Sequence, residues 1–243
     1  MDAAQTIRDA IADVTALRLH RTGDPALGAA VGSVKTFQAR RFRGTYADLM
    51  ASPAFGPAAR FFLEELYSDT DYTDRDQQFG RIAGTLQTIF PQPVVNTAVA
   101  LAVLHAQTEE LDQDMGRAWL AHEGADAAND AARYTAAWRT VGQHTLQLLL
   151  AMGTDLARLT RTPGLRMMLR MMRGPANAAG MGALQKFLEA GFDTFGQLAR
   201  QRGGVEQFLA TIEQRERALM DLLFDADPVT CGTQLTHTLG QAR

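Results

Sequence analysis

The sequence contains very little cysteine and lysine and no excess of basic residues, and each shortage excludes a class of structure or function. Cys231 is the only cysteine among 243 residues, so neither an internal disulfide nor a cysteine-based zinc site can form. Lys35 and Lys186 are the only lysines among the 24 basic residues, and the others are arginines. The net charge of −3 argues against a dedicated nucleic-acid-binding protein, because such proteins usually carry a basic excess.

Long apolar runs are also missing. The longest nearly apolar stretch, VVNTAVALAVL, is shorter than the roughly 20 residues that a membrane-spanning helix needs. The first residues, MDAAQTIRDAIADV, are acidic and amphipathic and lack the apolar core of a secretory signal. From these absences we expect a protein without a transmembrane segment, and we expect it in the cytoplasm.

The motifs of several enzyme classes are absent. The sequence has no phosphate loop ending in Gly-Lys-Ser/Thr, no serine in G-x-S-x-G, no H-E-x-x-H and no Glu-x-x-His. The acidic segment DTDYTDRDQQFG has Asp74 where a calcium loop needs glycine and Gly80 where it needs glutamate. The sequence therefore predicts no catalytic residue and no metal ligand, and it indicates no particular cofactor.

Helical patterns run along almost the whole chain. Apolar residues recur every three or four positions, whereas alternating β-branched and aromatic runs do not occur. We predict an all-α fold with a single domain over residues 1–225, a bundle of about eight or nine helices of which a globin-like fold would be one form. Residues 226–243 are expected to form a flexible C-terminal tail. Pro175 is expected in the first turn of a helix over about 175–200.

Two adjacent glutamates lie in the apolar stretch FFLEELY. On a helical wheel, Glu64 falls in the polar gap, whereas Glu65 falls between Phe61 and Phe62. A carboxylate at such a buried position is unfavourable unless it is paired. Arg75 lies on the apolar stripe of the next helix and is the predicted partner. We expect the Glu65–Arg75 ion pair to fix how the two helices dock.

A second group of polar side chains falls on the apolar arc of the helix predicted over 93–120. His105 and Asp112 lie on this arc, with Thr108 between them. Polar side chains in such a position are either satisfied core residues or the lining of a ligand cavity. As an axial ligand of a haem, His105 is the first candidate, and His144, at the rim of its own apolar stripe, is the second.

Three blocks of the sequence carry a family likeness. They are KTFQARRF with TYADLM and ARFFLEELY, then RDQQFGRI, and then MMRGPANAAGMGALQKFLEAGFDTF. Together they resemble a family of bacterial proteins that is named after its FFLEELY motif and has no established activity. The likeness extends from about Lys35 to about Phe224. It implies a bacterial, cytosolic protein and assigns no cofactor and no catalytic residue.

Three functions stay open on the sequence alone. The first is a non-enzymatic helical protein that binds a partner protein or a small apolar ligand. The second is a haem- or tetrapyrrole-binding helical protein that uses His105 or His144. The third is a metal-dependent or acid–base enzyme with Glu65, His105 and Asp112 in one cavity, although the chain has no recognised ligand spacing.

Overall fold

The computed structural model describes residues 2–65, 70, 72–122, 130–141 and 164–242, and this part of the chain contains eleven helices and no strand. The predicted all-α class is therefore confirmed. None of the helices described is long and apolar enough to cross a membrane. The helices are α1 (Ala3–Gly23), α2 (Pro25–Thr45), α3 (Ala47–Ala51), α4 (Gly56–Glu65), α5 (Thr73–Ile89), α6 (Gln92–Ala121), α7 (Asp130–Val141), α8 (Leu165–Ala178), α9 (Gly182–Arg200), α10 (Gly204–Asp225) and α11 (Pro228–Gln241).

Two of these helices begin with the same local signal, an aspartate followed by proline. Asp24 accepts a hydrogen bond from the backbone N–H of Leu27 at 3.1 Å, and Pro25 is the first residue of α2. Asp227 caps α11 in the same way, and Pro228 opens that helix. The aspartate satisfies backbone N–H groups that have no partner within the helix, while proline has no N–H to satisfy.

The chain divides into two compact units, each assembled from three segments that are distant in sequence. Three helices, α1, α6 and α10, contribute residues to both units. The single domain over 1–225 stays a prediction. Unit 1 consists of Met1–Ala16, Thr70–Gln107 and Gln147–Leu209, and unit 2 consists of Leu17–Asp69, Thr108–Leu146 and Ala210–Arg243.

The core of unit 2 brings together side chains from α2, α6, α7, α10 and α11. Phe37 stacks on Tyr134 with ring centroids 4.2 Å apart. The helices approach closely, because a Cβ added at Gly44 of α2 would collide with the carbonyl oxygen of Thr238 on α11. The buried core residues are Ala30, Val34, Phe37, Met115, Ala118, Trp119, Ala131, Tyr134, Ala137, Leu223, Cys231, Leu235 and Leu239.

The C-terminal residues form a helix, which corrects the expectation of a flexible tail over 226–243. Helix α11 buries Cys231, Leu235 and Leu239, four residues apart, in the core of unit 2. Threonine and glycine, which have low helix propensity, separate these apolar residues and obscure the stripe in the sequence. Packing against the rest of unit 2 overrides that low propensity.

Leu235→Ala is expected to lower the free energy of unfolding by about 2–3 kcal/mol, because truncating a buried leucine removes transfer free energy and leaves a cavity. Leu235 is 1% exposed, whereas Val229 on the same helix is 78% exposed. Val229→Ala is therefore the matched control, with an expected change below about 0.5 kcal/mol. Urea unfolding of the two variants compares them, and equal small effects would show that α11 does not stabilise the fold.

In unit 1, helix α9 packs against α8 and α5. The predicted helix over about 175–200 is corrected here, because α8 continues through Pro175 to Ala178 and α9 begins only at Gly182. Gly180 has φ of 69°, a conformation that glycine adopts readily and that commonly ends a helix. The glycine thus places the break five residues after the proline that the sequence had indicated.

Candidate functional site

His105 lies on α6 in unit 1, and 18% of its side chain is exposed. Its Nε2 lies 2.9 Å from Oδ2 of Asp76, a residue of α5 whose side chain is only 5% exposed. The other carboxylate oxygen of Asp76 is 3.6 Å from Nε of Arg75. A partly buried histidine held by a buried carboxylate is the arrangement of a satisfied interior residue. An axial bond from this ring to haem would have to use Nδ1, because Asp76 engages Nε2.

Arg75 and Glu65, the predicted ion pair, belong to different units, so their pairing stays a prediction. The guanidinium of Arg75 lies over the rings of Tyr72, at 3.8 Å, and Phe187, at 4.6 Å. Such cation–π contacts hold a charged side chain against an apolar surface. Glu65 is the last residue of α4 and is half-buried, and Glu64 is exposed, as the wheel predicted for Glu64.

If Glu65 and Arg75 are paired, replacing either one with alanine should cost about 2 kcal/mol. This is below the roughly 3–5 kcal/mol lost when a fully buried pair is broken, since Glu65 is only half-buried. The double variant should lose much less than the sum, whereas Glu64→Ala should change stability by less than about 0.5 kcal/mol. Additive losses in a double-mutant cycle would assign the residues other partners, which for Glu65 would be Arg81, Arg41 or a bound ligand.

The other candidates are distributed between the units. Thr108 and Asp112 belong to unit 2, so the predicted cavity shared with His105 stays a prediction, and His144 lies outside the described residues. The side chain of Asp112 is 17% exposed, and its Oδ2 is 3.4 Å from Nζ of Lys35. Burial raises the pKa of Asp112, although Lys35 opposes the shift. Asp112 is thus held at the edge of a group of charges.

The centre of that group is Glu109, a residue of α6 that falls at the edge of the same apolar arc but was not among the predicted site residues. Its side chain is 6% exposed, and Oε1 accepts a hydrogen bond from Nζ of Lys35 at 2.8 Å. Arg21 donates to Oε2, and a guanidinium nitrogen of Arg18 is 3.7 Å from Oε1. Burial by itself would raise the pKa of Glu109, but Lys35 and Arg21 overcome it and lower the pKa to about 2. This carboxylate is therefore ionised at neutral pH.

A second ion pair of unit 2 lies further along α2. Arg41 is 5% exposed, and its Nη1 donates to Oε1 of Glu216, on α10, at 2.6 Å. The hydroxyl of Tyr46 donates to the same oxygen at 2.7 Å. Burial by itself would lower the pKa of Arg41, but the charge and hydrogen bond of Glu216, together with Tyr134 and Tyr46, outweigh burial and raise it. The guanidinium is therefore charged in the folded protein.

Three hydrogen-bond donors in the interior of unit 2 have no partner among the described residues. They are Nε of Arg41, the hydroxyl of Tyr134 and Nε1 of Trp138. In the part of unit 2 that the structure describes, one buried acceptor is in the same condition, Oε1 of Gln113. A buried donor without an acceptor costs about 1–3 kcal/mol, and buried polar groups are almost always paired. The hydroxyl of Tyr134 can accept as well as donate, so these four groups offer three donors and two acceptors, an excess of one donor.

The three donors are neighbours and are called the donor site below: Arg41, Tyr134 and Trp138. Tyr134 and Trp138 lie one turn apart on α7, with ring centroids 6.2 Å apart. Burial raises the pKa of the Tyr134 hydroxyl, whereas the charge of Arg41 and the indole N–H of Trp138 lower it in part; this N–H is close enough to act on the hydroxyl oxygen but makes no hydrogen bond of normal geometry with it. Because the charges of Glu216 and Asp112 raise it further, Tyr134 is a neutral donor at physiological pH.

The chemistry of the donor site suits oxygen acceptors. It presents a guanidinium N–H, a phenolic O–H and an indole N–H, none of which binds a cation. Among the residues that the structure describes, no group of three or more His, Cys, Asp and Glu side chains is placed to hold a metal ion. The indole ring packs edge-on against Phe224 at 6.3 Å, so the polar atoms are bordered by aromatic surface.

A family model described as a domain of unknown function (DUF8198) matches residues 17–230. The chain belongs to this family. The matched region includes the three residues of the donor site and the charged residues around Glu109. No curated protein and no solved structure matches the chain.

Proposed function

We propose that this protein is a non-enzymatic helical protein that binds a small molecule inside unit 2, at the donor site. The observation that carries the proposal is the set of three buried donors without a partner among the described residues. Folding removes water from such groups at a cost, and that cost is recovered when a ligand supplies the missing acceptors. All three donor atoms are fully buried, so each of them carries this cost.

The surroundings of the donors support a ligand site. Phe37 stacks on Tyr134, and Trp138 lies against both Tyr134 and Phe224. Ligand sites in proteins are mostly apolar and aromatic, with a few polar groups that fix the orientation of the ligand. An aromatic lining with three donors fits this description. It suits a ligand that carries polar atoms better than a purely apolar one.

The cellular setting belongs to the same proposal. The three blocks that resemble the FFLEELY family support a bacterial, cytosolic protein. We therefore place ligand binding in the bacterial cytoplasm.

The tetrapyrrole and enzyme hypotheses have less support. Asp76 engages Nε2 of His105, and the proposed cavity of Glu65, His105 and Asp112 would need residues from both units. A Soret band in freshly purified protein would favour the tetrapyrrole, and a stoichiometric colourless metal would favour the enzyme.

Extraction of the purified protein tests the proposal. Wild-type protein and the double variant Tyr134→Phe/Trp138→Phe are purified in parallel, denatured in organic solvent, and the released small molecules are compared by mass spectrometry. We expect one compound at near-stoichiometric amount from the wild type and a strong depletion from the variant. If no compound is enriched in the wild type, the donor site holds only water and the proposal is wrong.

A further inference from the structure

We propose that the ligand of the donor site is a small organic monocarboxylate whose apolar part packs against the rings of Phe37 and Trp138. The inference rests on the proposed function and specifies the chemical class of the ligand. It follows from three features of unit 2: the kind of polar atom left unpaired, the balance of charge and the aromatic border.

The unpaired atoms call for acceptor oxygens on the ligand. A carboxylate offers two oxygens with about four lone-pair positions and no donor, which matches Nε of Arg41, the hydroxyl of Tyr134 and Nε1 of Trp138. A guanidinium has five N–H groups, and the hydrogen bond from Nη1 to Glu216 uses one of them. Arg41 can therefore serve Glu216 and a second carboxylate at the same time.

The charges around the donor site favour a ligand with no more than one negative charge. Arg41 is already paired with Glu216, so its charge is largely balanced. A doubly charged phosphate would therefore leave more buried charge unpaired than a monoanion would. The cations of the two ion clusters are Arg18, Arg21, Lys35 and Arg41, and the carboxylates are Glu109, Asp112 and Glu216.

These charges reach the donor site itself. Arg41, Glu216 and Asp112 all act on the hydroxyl of Tyr134, and Asp112 is 3.4 Å from Lys35, which pairs with Glu109. A carboxylate bound beside Tyr134 would lie within the influence of the same charges.

The apolar part of the ligand is indicated by the rings around the donors. The rings of Phe37, Tyr134, Trp138 and Phe224 pack against one another, so aromatic surface surrounds the polar atoms. Such surface favours a ring or a short alkyl chain over a second polar group.

Thermal melts with matched probe pairs test the inference on the full-length protein. The probes are acetate, hexanoate and benzoate, each compared with its neutral primary amide at pH 7. We expect at least one acid to raise Tm in a concentration-dependent way and its amide not to do so, because bound ligand stabilises the folded state. If every amide raises Tm as much as its acid, the ligand class is wrong although the protein still binds a small molecule.

Variants locate the bound acid. Tyr134→Phe and Arg41→Lys should each weaken binding of the active acid about tenfold or more, since each removes a hydrogen bond to a charged group. Arg40→Lys changes a neighbouring exposed arginine in the same way and should leave the affinity unchanged. An acid that binds both donor-site variants as tightly as the wild type binds elsewhere, which overturns the inference. If no acid binds, the inference is also wrong, and the extracted compound then decides the proposed function separately.

Discussion

Glu109→Gln is expected to lower the free energy of unfolding by about 3–5 kcal/mol, the largest effect of any single substitution considered for this chain. The side chain is 6% exposed and lies between Lys35 and Arg21, so its neutralisation leaves two partly buried cations without their anion. Glu110 is the adjacent residue, is exposed, and provides the matched control. Glu110→Gln should change stability by less than about 0.5 kcal/mol in urea unfolding at pH 7.

A small effect of Glu109→Gln would have one specific meaning. Lys35 lies 3.4 Å from Asp112 as well, so Asp112 would then be the anion that compensates the lysine. The double variant Glu109→Gln/Asp112→Asn removes both carboxylates. It therefore separates compensation by Asp112 from an ion cluster that does not stabilise the fold. If it too left stability unchanged, the ion cluster would contribute nothing to folding.

Lowering the pH is expected to reduce the free energy of unfolding by about 3 kcal/mol through the protonation of Glu109 alone. Its pKa in the folded protein is about 2 against an ordinary value of 4.5, and a lowered pKa means that the ionised form favours folding. The stabilisation by Glu109 is therefore complete above pH 4.5 and is lost as the pH falls from 4.5 through about 2. At about 1.4 kcal/mol per pKa unit, the lowering of the pKa corresponds to about 3 kcal/mol.

Unfolding free energies measured at several pH values between 7 and 2.5 check this expectation. The wild type and Glu109→Gln should differ most at neutral pH, and their curves should converge in acid as the carboxyl group of the wild type becomes protonated. Parallel curves would show that the pKa of Glu109 is not lowered by folding and would contradict this expectation. A greater difference at pH 2.5 than at pH 7 would contradict the direction of the Glu109 shift.

The helical class and the exposure of Glu64 could be predicted because they depend on residues close in sequence. Apolar spacing predicted the all-α class, and the wheel placed Glu64 at the surface. The same reasoning failed at α11, where small polar residues obscure the stripe, and at Pro175, where the conformation of Gly180 decided the helix end.

The partners of the buried charges could not be predicted. Periodicity shows on which face of a helix a residue lies, but not which residue of another helix lies opposite it. Arg41 and Glu216 are 175 residues apart, and Lys35 and Glu109 are 74 apart. A signal for Arg41 was nevertheless present. It follows Phe37 by four residues on the apolar stripe of α2, the same kind of position that drew attention to Glu65.

The donor site lay beyond sequence reasoning for a different reason. Tyr134 and Trp138 read as ordinary core aromatics, and only atomic positions show that the hydroxyl and the indole N–H have no acceptor among the described residues. Whether a buried donor is paired depends on differences of a few tenths of an ångström in the donor–acceptor distance, and a pattern of residue types does not contain this information.

The account depends most directly on the unpaired hydroxyl of Tyr134, and Tyr134→Phe in ligand-free protein tests it. Wild-type and variant protein, refolded from denaturant to remove bound compounds, are compared by urea unfolding. Tyr46→Phe is the matched control, because the hydroxyl of Tyr46 donates to Glu216 at 2.7 Å and its loss should cost about 1.5–3 kcal/mol. The account predicts that Tyr134→Phe leaves stability unchanged or raises it by up to about 3 kcal/mol, since it removes a buried donor that has no acceptor. A loss as large as that of Tyr46→Phe would show that the hydroxyl is held by the protein itself and would contradict the ligand site.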